Sequence, residues 1–230
     1  MTDDAKKRAA EAALEEVRDG MTLGLGTGST AVHFVRLVGE RGFDVRGVPS
    51  SDDTAALAQE VGIELAVPDE TTRIDLAVDG ADEVDPDGHL IKGGGGALLR
   101  EKIVAQAAER FVIIADASKR VTQLGAFPLP VEIERFGWGL TVRALREALA
   151  AAGQEGAELT LRPAKGGSGF ALTDGGNYIV DARLGRIHDP AALDAALTMV
   201  PGVVTTGLFI GLADRIIYGT ETGTENQDVR

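Results

Sequence analysis

The chain has 230 residues, 44% of them hydrophobic, enough for a sizeable core organised as one large domain or a domain with a smaller companion. It contains no cysteine, which excludes disulfides, thiolate catalysis and cysteine-ligated metal centres. Its 36 acidic residues against 23 basic ones, a net charge of −13, argue against a nucleic-acid partner.

Residues 4–18 have helical spacing, with Ala9, Ala12, Ala13 and Val17 on one face. The opening Asp3-Asp4-Ala5-Lys6-Lys7-Arg8 is not the apolar core of a secretory signal, so a cytoplasmic protein is expected. Residues 21–26 predict a strand entering a Gly/Ser/Thr turn, and residues 29–40 a helix. A strand at 44–48, a helix at 53–61, a short strand near 63–67 and a strand at 74–79 follow. A strand at 89–92 leads through Gly93–Gly96 into a helix at 96–109, and a strand at 111–116 closes the series. This alternation predicts an α/β fold: a mostly parallel, Rossmann-like sheet with helices on both faces. Ligands of such sheets sit outside the carboxyl ends of the strands. Thr27–Thr30, Asp79–Asp82 and Lys119 each follow a predicted strand, so they are expected on one rim.

A different order begins at Pro128-Leu129-Pro130. Residues 131–135 predict a strand, 140–151 a helix and 157–162 a strand. Phe170–Thr173 and Tyr178–Asp181 flank Asp174-Gly175-Gly176-Asn177, a hairpin signal. A helix over 190–199 starts on Pro190, and residues 203–209 predict a strand. The order β-α-β-β-α-β is that of a ferredoxin-like unit. The expected domains are therefore a main α/β catalytic domain of residues 1–128 and 204–230 and a smaller inserted α+β domain of 129–203. Residues 213–219 return as a last strand of the main sheet, and the polar tail 220–230 is expected to fray.

Two stretches point to chemistry. Gly26-Thr27-Gly28-Ser29-Thr30 joins a strand to a helix, an arrangement in which amides, hydroxyls and the helix dipole favour an anion, with phosphate the expected one. It has neither the lysine of a Walker A loop nor the last glycine of the dinucleotide fingerprint. Asp79-Gly80-Ala81-Asp82-Glu83, then Lys92 before four glycines, then Arg100-Glu101-Lys102, place carboxylates and a cation among tight turns at the ends of apolar runs. On its own, Glu101 between two basic residues reads as a solvated helix face. Asp79 and Asp82 read equally well as turn residues.

Together with Ala115–Lys119, Phe127–Glu132 and Pro201–Thr205, these motifs resemble ribose-5-phosphate isomerase of type A, in that family's order and over residues 4–220. The resemblance implies an aldose–ketose isomerase of the non-oxidative pentose phosphate pathway, working on a phosphosugar through an enediolate, without a cofactor. It places the proton-transferring base on Glu101, with Asp79 and Asp82 at the sugar hydroxyls and Asp79 at ring opening. Lys92 and the amides of Gly93, Gly94 and Gly95 would stabilise the oxyanion, beside Gly80 and Ala81. Thr27, Gly28, Ser29 and Thr30 would hold the phosphate with Lys6 or Lys7, and Lys119 would contact the substrate. The sequence departs from the family at Gly96, where alanine is common. Two other classes compete. A sugar-phosphate-sensing regulator would need a helix-turn-helix, for which the first 20 residues leave no room. A coenzyme A transferase-like enzyme would need a nucleotide-sized site.

His33, His89 and His188 show no metal-ligand spacing, so no metal is expected. No apolar run approaches the ~18 residues of a membrane span, so no membrane partner is expected either. Only six of the 23 basic residues are lysine. High acidity with few lysines suits concentrated salt, where the Debye length falls to ~3 Å at 1 M and self-repulsion is screened. A halophilic homodimer or homotetramer is the expectation.

Overall fold

The computed structural model describes residues 3–230. In chain order the first elements are α1 (Asp3–Leu14), β1 (Thr22–Leu25), α2 (Ala31–Arg41), β2 (Arg46–Pro49), α3 (Asp52–Glu60), β3 (Glu64–Leu65) and β4 (Leu76–Asp79). Then come β5 (Glu83–Val84), β6 (Leu90–Ile91), α4 (Leu98–Ala107), β7 (Phe111–Asp116) and a 3₁₀ turn over Ala117–Lys119. The rest are β8 (Leu129–Ile133), α5 (Trp138–Ala151), β9 (Glu158–Leu161), β10 (Tyr178–Arg183), α6 (Pro190–Thr198), β11 (Val203–Thr206), β12 (Leu208–Phe209), β13 (Arg215–Gly219) and β14 (Thr224–Asp228). They form two compact units. The first takes the chain up to Ala81, Arg100–Arg120 and Gly211–Arg230, and the second Asp82–Leu99 and Val121–Ile210.

The first unit is a seven-stranded sheet in the order β14-β13-β7-β4-β1-β2-β3. Every pair is parallel except β13 with β14. All residues of β1, β4 and β7 are buried, as strands covered on both faces must be. Leu23, Leu25, Val78, Val112 and Ile114 pack in one cluster with Ala9 and Ala13 of α1, Phe34 and Val35 of α2 and Leu57 of α3. Each such Leu, Ile or Phe contributes about 1.5–3 kcal/mol by leaving water. On the opposite face, Gly24 and Ala77 leave room for Val104 of α4. The Ser51 hydroxyl accepts from Thr54 N–H at 3.1 Å, which starts α3 at Asp52. Gly42, at φ +67°, stops α2. α1 ends at Leu14, four residues short of expectation, and Glu16 beyond it pairs with Arg110 and with Arg215 at 3.1 Å. α1 is also tied to the chain's end. Arg8 Nη1 donates to the Thr220 carbonyl at 2.9 Å, and the Ala5 carbonyl presses on Gly219 so closely that a Cβ there would lie 1.7 Å away.

The polar tail is ordered rather than frayed. β14 pairs antiparallel with β13 from Arg215–Asp228 to Gly219–Thr224. Arg215 bonds Asp228 at 2.6 Å, Tyr218 Oη donates to Gln227 at 3.1 Å, and Arg120 pairs with Glu225 at 2.9 Å. An edge strand with mostly exposed side chains carries no apolar alternation, so the sequence gives it no strand signature.

The second unit holds the expected β-α-β-β-α-β order as an antiparallel sheet, β11-β8-β10-β9. Val131, Ile133, Val180 and Ala182 pack with Leu145 and Leu149 of α5 and Leu193 and Leu197 of α6. Asp189 caps α6 by accepting from Ala192 N–H at 2.9 Å, with Pro190 in the first turn. Two expectations fail here. Phe170–Thr173 is no strand. β10 spends both edges on β8 and β9, leaving 170–173 single bridges at Pro163–Phe170 and Leu172–Tyr178 around the Gly-rich turn. The run 203–209 is two strands in two sheets, broken at Gly207. A Cβ there would lie 2.3 Å from the Lys92 carbonyl, while Gly207 N–H donates to Pro130 O at 2.7 Å. That contact uses the Pro130 carbonyl, so proline fits the start of β8. β12 pairs with β6 and β6 with β5 in a small three-stranded sheet. By compactness the second unit thus exceeds the expected 129–203, taking in 82–99, 121–128 and 204–210. Among the described residues no helix is long and apolar enough to cross a membrane.

Candidate active site

In the first unit, β1, β4 and β7 are neighbours, so the segments after them share one rim of the sheet. This joins Thr27–Thr30, Asp79–Gly80 and Lys119, whereas Asp82, expected with them, belongs to the second unit. Asp79 is 3% exposed, and its Oδ1 accepts from Thr27 N–H at 3.1 Å and Gly80 N–H at 2.7 Å. Gly26 makes this possible: a Cβ there would lie 2.3 Å from Asp79 Cγ. The Thr27 hydroxyl is spent below the loop, bonded to Ser50, Ser51 and Thr54 at 2.8, 2.9 and 3.1 Å. Thr54 in turn donates to the Gly26 carbonyl at 3.0 Å. This hydroxyl cluster stiffens the turn and is not visible as a motif, since Thr27 lies more than 20 residues from the other three.

Gly28 and Ser29 are exposed, and Gly28 turns the chain at φ +108°. Thr30 occupies the N-cap of α2 without a capping side-chain bond, while Val32 N–H and His33 N–H donate to Gly28 O and Thr30 O at 3.0 and 3.1 Å. Lys6 Nζ donates to Ser29 Oγ at 2.9 Å, whereas Lys7 faces Glu11 at 4.0 Å. Of the two lysines, Lys6 is therefore the one at the loop. Gly80 lies in van der Waals reach of Thr30, and Ala81 after it is half-buried. At the end of β7, buried Asp116 accepts from Ser118 N–H at 3.0 Å and Ser118 Oγ at 2.6 Å, capping the turn that carries half-buried Lys119.

Glu101 stands in the first turn of α4 and is 5% exposed. Its neighbour Arg100 reaches Asp52 at 2.7 Å. A carboxylate on a helix is ordinarily solvated, and this one is buried. A carboxylate shielded from water suits proton abstraction.

The second unit carries the remaining candidates. Asp82 N–H donates to Ile91 O at 2.8 Å, and Asp82 Oδ2 accepts from Gly94 N–H at 2.8 Å. Lys92 is 2% exposed, with its ammonium 5.5 Å from the Phe209 ring centre. Lysines are almost never this buried without a task. Gly93–Gly96 close a turn, with Gly96 N–H donating to Gly93 O at 3.0 Å. Gly94 and Gly95 are exposed. Gly96 sits at φ +91°, a conformation that favours glycine. Arg162 and Asp181 support this loop, and neither belongs to a recognisable motif. Arg162 Nη1 donates to Gly93 O at 2.8 Å and Gly94 O at 3.2 Å.

His33 contacts Asp3 at 3.0 Å and His188 contacts Gln123 at 3.4 Å. Asp85, Asp87 and His89 bring one ligand atom each within 4.8 Å of one another between β5 and β6. The hairpin turn accounts for this, since Asp85 Oδ1 accepts from Asp87 N–H at 3.0 Å and His89 N–H at 2.8 Å. Burial pushes the Asp85 carboxyl above its usual range, against the His89 hydrogen bond.

Residues 46–223 match the family model of ribose 5-phosphate isomerase A (phosphoriboisomerase A). The chain is 56% identical over 224 residues to ribose-5-phosphate isomerase A of Rhodopseudomonas palustris strain TIE-1, covering 96% of each. It is 54% identical to that of Parvibaculum lavamentivorans, covering 97% of each. Among solved structures, a D-ribose-5-phosphate isomerase in complex with phospho-erythronic acid superposes with a TM-score of 0.91 at 40% identity, over 99% of this chain and 100% of that one. The enzyme of Methanocaldococcus jannaschii gives 0.91 at 38%, over 99% and 100%. The chain belongs to the ribose 5-phosphate isomerase A family.

Proposed function

We propose that this chain interconverts D-ribose 5-phosphate and D-ribulose 5-phosphate, as a step of the non-oxidative pentose phosphate pathway. The reaction moves one proton between C2 and C1 through an enediolate, while a hydroxyl proton passes between O2 and O1. Glu101 is the base that carries the carbon-bound proton. The observation that carries this reading is its burial at 5% exposure on a helix whose spacing alone suggests a solvated face. Lys92 with the amides of Gly93 and Gly95 stabilises the developing oxyanion, while the Gly94 amide is engaged by Asp82. Asp79 and Asp82 take the sugar hydroxyls, Asp79 at ring opening. The phosphate is held by Ser29, Thr30, the amides from Gly28 onward and Lys6, with Lys119 adding a cation. Thr27 contributes through the shape of its loop, since its hydroxyl is engaged elsewhere. A phosphorylated sugar acid bound to one solved relative supports a phosphosugar ligand.

The test is conversion of ribose 5-phosphate to ribulose 5-phosphate by purified protein with a chelator present. Glu101→Gln keeps shape and removes the proton acceptor, so kcat falls at least ~10²-fold while KM changes little. Near-normal turnover in folded Glu101→Gln removes Glu101 from the role.

We also propose a cytoplasmic, halophilic homodimer or homotetramer. The charge of −13 supports the salt requirement. In the second unit Phe136, Leu140 and Leu172 are exposed, and Trp138 and Phe170 meet edge-on at 6.0 Å, giving apolar surface for subunit contact.

A further inference from the structure

Asp181 grips Arg162 with both carboxylate oxygens, accepting from Nε at 2.9 Å and Nη2 at 2.5 Å. The two side chains are 17% and 24% exposed, so the pair is largely withdrawn from water. Arg162 spends Nη1 on the Gly93 carbonyl at 2.8 Å. The amide of that same peptide group is Gly94 N–H, which donates to Asp82 Oδ2 at 2.8 Å. A peptide group is planar and polarisable, so a cation on its oxygen strengthens donation by its N–H. The chain of contacts thus runs Asp181, Arg162, the Gly93–Gly94 peptide, Asp82. A free glycine turn has wide backbone freedom, and this one is fixed at its carbonyl and its amide at once.

We infer that Arg162, oriented by Asp181, is a positioning residue for catalysis: it locks the Gly93–Gly94 peptide and, through that amide, sets the Asp82 carboxylate. Arg162 reaches the reaction only through the loop. Lysine cannot replace it fully, because a compact ammonium cannot hold a carboxylate with two nitrogens and reach the loop as well. The inference rests on the proposed role of Asp82 at the sugar hydroxyls.

The test is a double-mutant cycle on the full-length protein, with kcat and KM measured for ribose 5-phosphate. Displacements near 1 Å at reacting groups cost up to ~10²-fold in rate, so Arg162→Ala lowers kcat by about 10- to 100-fold. KM stays within ~3-fold, because the loop matters most to the transition state. Asp82→Asn lowers kcat alone, and the double variant loses no more than ~3-fold beyond the worse single, since both cut one chain of contacts. Arg162→Lys falls between wild type and Arg162→Ala. A purely structural Arg162 would lower the melting temperature and multiply independently with Asp82→Asn. A folded Arg162→Ala with wild-type kcat, or a double loss equal to the product of the singles, overturns the inference while leaving Asp82 in place. Unchanged kcat in Asp82→Asn overturns the role of Asp82 and this inference with it. If Arg162→Ala does not fold, Arg162→Lys and Asp181→Asn carry the same cycle and the same criteria.

Discussion

Adding one methyl group at Gly26 should damage the fold and the chemistry together, whereas the same addition two residues earlier should damage only the fold. A Cβ at Gly26 would lie 2.3 Å from Asp79 Cγ and 2.5 Å from Asp79 Cα, so it meets backbone of the adjacent strand and cannot be relieved by a rotamer change. Gly26 has no positive φ, so the cost is contact and not torsion. Overpacking costs about 1–3 kcal/mol, and a backbone collision belongs at the upper end. In a chain of this length each kcal/mol moves Tm by about 2–4 °C, giving a fall of roughly 6–12 °C. The collision also displaces Asp79 and the Thr27 N–H that holds it, and a shift near 1 Å costs up to ~10²-fold in kcat. Gly24→Ala is the control. Its Cβ would meet Val104 Cγ1 at 2.5 Å, Ala77 Cβ at 2.7 Å and Ala77 Cα at 3.1 Å, none of them an atom of Asp79. The assay pairs thermal melting with turnover of ribose 5-phosphate per folded molecule. Wild-type kcat and Tm in Gly26→Ala would refute the packing argument. Equal kcat losses in both variants would refute the link between this turn and Asp79.

Lys6→Ala should raise KM for ribose 5-phosphate by roughly 10-fold and spare any activity on unphosphorylated ribose, while Lys7→Ala changes neither; the reverse pattern would exchange the two lysines. Ending the chain after Thr220 removes β14 with Glu225 and Asp228, and should lower Tm by roughly 5–10 °C; an unchanged melt would make the tail dispensable. Light scattering and melting from low to molar salt should show an oligomer whose Tm rises with salt. A monomer at every salt would sink the assembly proposal, and a Tm indifferent to salt would sink the halophilic one.

The parts of this fold that the sequence announces are those whose burial repeats along the chain. β1, β4 and β7 are buried throughout because both faces are covered, and apart from Thr22, Asp79 and Asp116 at their ends that apolar run is legible without coordinates. β14 is silent because Thr224, Glu225, Asn226 and Asp228 are exposed and its partner supplies the order. The break at Gly207 depends on the Lys92 carbonyl, more than 100 residues away, and no local rule reports that approach. At the candidate site, the family resemblance implies Asp79, Asp82, Lys92 and Glu101. It says nothing of whether Glu101 meets water, which is a tertiary property. The Thr27 hydroxyl reads as a ligand from its loop and proves to be structural, because Ser50, Ser51 and Thr54 lie beneath it. Arg162 and Asp181 are 19 residues apart and become a pair only when β10 lies beside β9.

Part of the seat of α1 is made at the far end of the sequence, beside its packing on α2 and β7. Arg8 needs the Thr220 carbonyl, Ala5 packs on Gly219, and Glu16 needs Arg215. During synthesis the second unit has all its residues once Ile210 has emerged, whereas the first lacks β13 and β14 until the last 20 residues follow. At about 5–20 residues per second, Ala9, Ala10 and Ala13 meet α2 and β1 seconds before Ile217 of β13 completes their cluster. The loop that must close spans nearly the whole chain, a long-range contact of the kind that slows folding. Of the described elements α1 is thus made first, and its packing is complete only when β13 has joined the sheet.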